Sequence, residues 1–548
     1  MKFERRDLDL GELTAIVERA QRSTLSAEER DKLKGALDTL ALLTGEIGSK
    51  GASILRLRQM LFGARTEKTA KIFPDPPPDD GSAAAGMGNE PQENSAAANK
   101  DQPRPRRPGH GRNGAESFTG AVQVCVVHGT RHHGDRCPEC LKGKLYTQPQ
   151  SAVLVRIRGM APLSATRYEL ERLRCNLCGE VFTADAPAGV GDEKYDETAT
   201  AMIALLKYGC GLPFHRIEKL QRNLGIPMPA ATQWELVAAA ADTLRAALHE
   251  LIRQAAQGEV VHNDDTTMKV LAFGTSPFPE DAPDPERTGV YTTGIVARAA
   301  THDIALYFTG RRHAGENLER LLKERAAALP PPVQMCDALS HNVAGAFETI
   351  VANCVAHARR KFVEVAVSFP EQSRHVLETL REVYRHDATA RAEQLSPDAR
   401  LAFHQEHSGP LMRGLQWSLY EQLDQRKVEP NSTLGGAVNY LLKHWGKLTR
   451  FLATPGAPLD NNLCERALKK AILHRKNSLF YKTENGAKVG DLFMSLIHTA
   501  ELCAVNPFDY LVQLQRHAAA LKANATPWMP WNYRDTIAGL DTGPDPPT

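Results

Sequence analysis

Residues 9 to 69 carry apolar positions at helical spacing: Leu33, Leu37, Leu40 and Leu42, then Ile54, Leu57 and Leu61, all among charged neighbours. Gly45, Gly48 and Gly51 interrupt the stripe, so residues 1–70 read as a helical, coiled-coil-like arm rather than a sustained heptad. Over 71–118 bulky apolar residues vanish in favour of Pro, Gly, Ala and polar residues, the composition of a flexible linker. Residues 119–188 alternate, as in AVLVRIRG and RYELERLRC, which predicts a small β-rich unit. Helical periodicity returns over 189–256. Two short helices, a turn at Gly225 and a third helix around Thr232 to Leu236 form the pattern of a helix-turn-helix.

From Gly258 the period changes again. EVVHND reads as a strand, GVYTTGIVARA and DIALYFTG as a hairpin, Glu316 to Ala328 as a helix and PVQMCD as a fourth strand. HNVAGAFETIV reads as a helix, ANCVAH as a fifth strand and ARRKFVEVAVSF as another helix. Residues 370–455 are almost wholly helical in pattern, and LDNNLCERALKKAILHRK is a capped helix start with Glu465 near its first turn. The fold class expected is multidomain α+β. An α/β domain spans 257–369 and 456–515, with a helical insertion between and a C-terminal tail over 516–548.

Composition adds limits. The 548 residues allow roughly three to four domains. A net charge of only +2 leaves nucleic-acid contact to local basic patches, such as Arg104, Arg106, Arg107 and Arg112 in the linker and Arg216, Lys219 and Arg222 in the helical block. There is no apolar run of transmembrane length and no signal-peptide pattern, so the expected compartment is the cytoplasm. In a reducing compartment the pairs Cys137/Cys140 and Cys175/Cys178 point to one tetrahedral, structural Zn²⁺ in a zinc ribbon. Cys125 and His128 make a weaker Cys-x-x-His, and Cys210, Cys336, Cys354, Cys464 and Cys503 read as small buried hydrophobes.

Three carboxylates stand out by their order along the chain. Asp264 ends the first strand of the α/β block, Asp337 ends the fourth, and Glu465 opens a helix after the long insertion. Carboxylates on adjacent strand ends and a flanking helix can converge on two Mg²⁺ ions, and a ribonuclease-H-like sheet provides that geometry. Any one acid alone would be read as a cap or a solvated side chain.

Several stretches together resemble the large transposase of insertion sequence family 66. They are LRQMLFGARTEK, the CPEC…CNLC pairs, HNDDTTMKVL, NCVAHARRKF and the segment from LDNNLCERALKK to NPFDYL. The resemblance implies a DDE transposase of bacterial, nucleoid-associated setting, acting on double-stranded DNA as a homo-oligomer, with small accessory proteins of the same element. It implies metal ligation by Asp264 in Asp264-Asp265-Thr266, by Asp337, and by Glu465 in Asp-Asn-Asn-x-x-Glu-Arg. The first motif departs from the family's Asp-Glu-Thr, and Ala338-Leu339 replaces the usual Gly-Tyr. The resemblance also implies that His357, Arg359 and Arg360 lie near the site. Lys469, Arg475 and Lys476 follow Glu465 on its helix and are candidates for holding the DNA backbone. The alternative is a zinc-ribbon, helix-turn-helix DNA-binding protein with an inactive nuclease-like fold. A serine or tyrosine recombinase would need an exposed nucleophile beside an arginine cluster, and none stands out.

Overall fold

A computed structural model describes residues 130–147, 161–174, 181–190, 193–274 and 287–541, with Ser26, Leu33 and Cys125 besides. The expected N-terminal arm and linker, with Arg104, Arg106, Arg107 and Arg112, lie outside the described residues except for Ser26 and Leu33, as do Cys175, Cys178 and His128. The chain divides into two units, Pro77–Pro162 and the remainder. In the smaller unit a tight turn is closed by Cys137 N donating to Gly143 O at 2.8 Å and by an antiparallel bridge between Arg136 and Lys144.

The larger unit is mixed α/β. A short antiparallel pair, β1 (Arg172–Arg174) and β2 (Val181–Thr183), precedes three helices: α1 (Glu197–Ala204), α2 (Phe214–Asn223) and α3 (Ala230–Ala255). Asp196 caps α1 by accepting from Ala199 N. Gly225 turns the chain between α2 and α3 at φ +77°, a left-handed conformation that favours glycine.

The central sheet has five strands: β3 (Val260–Thr267), β4 (Tyr291–Ala299), β5 (His302–Gly310), β6 (Val333–Cys336) and β7 (Ile350–Asn353). Their order is β5-β4-β3-β6-β7, with β3–β4 and β4–β5 antiparallel and β3–β6 and β6–β7 parallel. Helix α4 (Ala314–Leu322) joins β5 to β6. After β7 come α5 (Val355–Val365), the inserted helices α6 (Pro370–Ala392), α7 (Pro397–Asp424) and α8 (Thr433–Lys443), then α9 (Asn462–Ser478), α10 (Glu484–Leu502) and α11 (Pro507–Arg516).

Helix α10 solves the edge-strand problem of β5. Asp491, Ser495 and Thr499 stand four residues apart on one helix face. They accept from the alternate edge amides Thr309 N at 2.6 Å, Tyr307 N at 3.0 Å and Ala305 N at 3.1 Å. The helical period of four here matches the strand period of two, so three alternate edge amides each find a side-chain oxygen.

A small apolar cluster holds Met268, Val270, Tyr481 and Ala487, and two large ones make up most of the unit's core. One joins α1, α3, α10 and α11 to β4 and β5, through residues such as Ile203, Leu244, Ile295, Leu306, Phe493 and Leu511. The other joins β6, β7 and α5 to the inserted helices, through Met335, Phe362, Leu377, Met412 and Val438. No helix among the described residues is long and apolar enough to cross a membrane.

The structure corrects several sequence expectations. In the 189–256 block, expected as a helix-turn-helix-like unit, α1 and α3 bury Ile203, Val237 and Leu244 in the core they share with the sheet. Residues 517–541 are no tail, since Trp528, Met529 and Tyr533 are buried in that same core. HNVAGAFETIV forms no α-helix. The 3-10 turn Ser340–Asn342 runs into it and its last two residues open β7, while the Asn342 side chain and carbonyl bond to Asp337, Asn263 and Gln334 rather than to a helical ladder. The helix expected from Glu316 to Ala328 covers Ala314–Leu322. Cys336, Cys354 and Cys464 are buried as expected, but Cys210 is exposed and Cys503 half-buried.

Candidate functional site

The site lies where the β3–β6 ladder ends. Parallel pairing stops at His262–Met335, so β3 runs on past its neighbour and the chain after β6 is free to turn. Asp264 is therefore not the strand's last residue, as the sequence suggested. It sits two residues beyond the parallel ladder, still paired antiparallel with Gly294 of β4. Asp337 follows the last residue of β6 directly.

One amide side chain joins these two acids. Asn342 Nδ2 donates to Asp337 Oδ1 at 2.6 Å and approaches Asp264 Oδ1 at 3.4 Å. The Asn342 carbonyl accepts from Asn263 Nδ2 and Gln334 Nε2, both at 2.7 Å, so the fully buried Asn342 is fixed from β3 and β6 together. Asn353 of β7 adds a bond from its Nδ2 to Asp337 O at 3.1 Å.

Glu465 is carried by a helix, in the first turn of α9. The asparagine ahead of it holds that helix start in place. Asn461 is fully buried; its Nδ2 donates to Asn263 O at 3.1 Å, its Oδ1 lies 3.1 Å from His262 Nδ1, and its amide donates to Cys354 Sγ at 3.2 Å. Burial holds His262 neutral, its pKa pushed down to about 4, so the ring serves as an uncharged hydrogen-bond partner. Gly294 lets the helix approach: a Cβ there would stand 3.0 Å from Leu468 Cδ2, and Cys464 Sγ donates to Gly294 O at 3.2 Å. Since Asp264 and Gly294 are paired, they face the same side of the sheet, the side on which α9 lies.

The electrostatics follow from this crowding. Burial pushes the Asp264 carboxyl up to about 7, and the nearby charges of Asp337, Asp265 and Glu465 push the same way. Glu465 Oε1 is buried without a hydrogen-bond partner, and so is His357 Nδ1, 3.7 Å away. A carboxylate set that repels itself and leaves an oxygen unsatisfied suits a hard divalent cation, whose ligands are oxygens.

The remaining sequence candidates separate. His357, Arg359 and Arg360 lie on the first turns of α5, and His357 reaches the site. Lys469 and Lys476 are exposed on α9, in one row with Arg466 and Leu473. Arg475 is otherwise engaged: its guanidinium donates to Thr266 Oγ1 at 3.1 Å and Thr267 Oγ1 at 2.6 Å, pinning the end of β3. Arg216, Lys219 and Arg222 are exposed on α2, with Arg222 paired to Glu218. Asn342 and Asn461 were missed as site residues. Asn461 carried a signal, as part of the Asp-Asn-Asn-x-x-Glu-Arg string, whereas Asn342 sat inside a stretch that reads as helix. In the smaller unit Cys140 Sγ accepts from Gly143 N at 3.4 Å, and backbone amides of Gly143 and Lys142 with the Cys137 side chain hold the Cys140 thiol below its ordinary pKa.

Fold and site together define a mixed α/β protein in which Asn342 bridges Asp264 and Asp337 where the β3–β6 ladder ends, with Glu465 near enough to act on the Asp264 carboxyl. A family model described as "Transposase IS66 family" matches residues 193–489, more than half of the chain. The chain belongs to that family of transposases, DNA-processing enzymes as a class. Relatives in Sinorhizobium fredii (strain NBRC 101917 / NGR234) are similar to it. Uncharacterized protein y4jD is 25% identical over 89% of this chain and 95% of its own length, and uncharacterized protein y4qI is 27% identical over 63% and 64%.

Proposed function

We propose that this chain is a DDE transposase that cleaves DNA at the ends of an insertion sequence and joins the freed 3′-hydroxyl to target DNA. The observation that carries the proposal is the Asn342 bridge between Asp337 and Asp264 at the end of the β3–β6 ladder, with Glu465 acting on the Asp264 carboxyl and its own Oε1 left without a partner. The sheet order and the arrival of α9 across it support a ribonuclease-H-like reading of the fold.

Asp264, Asp337 and Glu465 would hold Mg²⁺, and the donor chemistry fits, being three carboxylates, one of which, Glu465, has an oxygen without a hydrogen-bond partner. Bound there, two such ions would supply Lewis-acid activation of water or a 3′-hydroxyl and neutralise charge on the leaving oxygen. The protein's own groups do the positioning. Asn342 fixes the Asp337 carboxylate and stands beside that of Asp264. Asn461 ties the start of α9 to β3 and so sets where Glu465 stands. His357, beside Glu465, can donate to a phosphate oxygen at the same place. Arg466, Lys469 and Lys476 present an exposed basic row from the same helix, where the phosphate backbone of double-stranded DNA would run. Assembly as a homo-oligomer on DNA, accessory proteins and a structural zinc on the paired thiols belong to the same proposal.

The test is cleavage of a duplex carrying an element end, with and without Mg²⁺, by the wild type and by Asp264→Asn. Metal-dependent nicking by the wild type, falling by several orders of magnitude in the variant while end binding persists, is the expected result. Binding without cleavage by the wild type would favour the non-catalytic alternative.

A further inference from the structure

Asp265, next to Asp264 on β3, faces the other side of the sheet, because successive strand residues alternate. On that side it meets two histidines. His313 Nδ1 lies 3.0 Å from Asp265 Oδ2, and Ala314 N donates to the same oxygen at 3.3 Å. The His341 ring sits with its centroid 4.5 Å from that of His313, and Tyr291 packs against His313 at 4.3 Å. One ligand atom from each of Asp265, His313 and His341 lies within 4.8 Å of the others.

The three come from a strand, the residue before α4 and the 3-10 turn after β6, yet they are held in register. A Cβ on Gly315 would stand 2.4 Å from Val343 O and 2.7 Å from His341 O, so the start of α4 and the turn are in backbone contact that only glycine permits. Asn342, beside His341, is locked by Asp337, Asn263 and Gln334.

The geometry points to a further metal site, formed by Asp265, His313 and His341, that takes a borderline divalent transition ion such as Zn²⁺. Two imidazoles and one carboxylate suit such ions, whereas Mg²⁺ prefers oxygen alone. The 3.0 Å between Asp265 Oδ2 and His313 Nδ1 is close to the spacing of adjacent donors around an ion with bonds of about 2.0–2.1 Å. His341 is exposed, which gives the ion a way in and leaves positions for water. An ion here ties the turn that carries Asn342 to β3, and so steadies the amide next to Asp264 and Asp337. The inference stands on these residues alone and does not depend on the catalytic proposal.

The experiment counts zinc on the full-length chain, as the wild type and as Asp264→Asn, each with and without His341→Ala, after equilibration with zinc and removal of free ion. The expected result is one zinc fewer per chain on losing His341 in both backgrounds, with the zinc-induced rise in melting temperature reduced to match. Melting in chelator checks that the exposed substitution leaves the fold intact. Cobalt substitution supplies a second readout: the d–d absorption should weaken in His341→Ala while thiolate-to-cobalt absorption is unchanged. Equal zinc content with and without His341 overturns the site. A difference that disappears in Asp264→Asn overturns it too, because the ion would then belong to the carboxylates on the opposite face.

Discussion

Asp264→Asn tests the proposed site through stability as well as through activity. Burial pushes the Asp264 carboxyl up to about 7, well above the ordinary aspartate value of about 3.9. The folded state therefore binds the proton more tightly than the unfolded chain does. Stability from this group is fully present below about pH 4 and is lost as pH rises toward 7. Three pKa units correspond to about 4 kcal/mol, and the partial exposure of Asp264 lowers that to roughly 2–3 kcal/mol. The asparagine variant carries no such penalty. In chelator at pH 8 it should be more stable than the wild type by that amount, with the two converging near pH 4. Urea denaturation at both pH values, with and without Mg²⁺, makes the measurement, and Mg²⁺ should stabilise the wild type only. A variant less stable than the wild type at pH 8 in chelator, or a difference that ignores pH, would refute the argument that these carboxylates are crowded for want of a cation.

Other outcomes follow from the packing. Gly294→Val forces Leu468 and α9 away from β4, costing roughly 1–3 kcal/mol of stability and reducing cleavage more than DNA binding; unchanged cleavage would mean that the helix position is not critical. Asp491 is also raised to about 7 by burial, so it too contributes stability that is lost from about pH 4 to pH 7. Asp491→Asn can keep an acceptor for Thr309 N, and its unfolding free energy should vary less over that window than the wild type's. Removing Lys469 and Lys476 together should flatten the dependence of log K on log salt by about 1–2 for DNA-end binding, and an unchanged slope would take this face of α9 off the DNA.

The sequence by itself marked the first four strands of the sheet, the hairpin and the helical insertion, because period-two and helical patterns are local; the fifth strand, read as 352–357, lies at Ile350–Asn353, and Val355 already opens a helix. The string Asp-Asn-Asn-x-x-Glu-Arg and the family resemblance singled out Glu465, though not the reason Asn461 precedes it. Only the tertiary structure decided the rest. Helices 197–204 and 230–255 look like a separate DNA-binding block in one dimension, since amphipathic pattern says that a face is buried but not against what. Here it is the sheet's own core. The stretch 341–351 has helical spacing, yet its asparagine and its contact with Gly315 bind it to neighbouring strands and to α4, and those long-range bonds outweigh a weak local preference. The alternation of Asp264 and Asp265 to opposite faces is present in any strand, but the partners each acid meets there lie tens to hundreds of residues away along the chain, and folding alone brings them together.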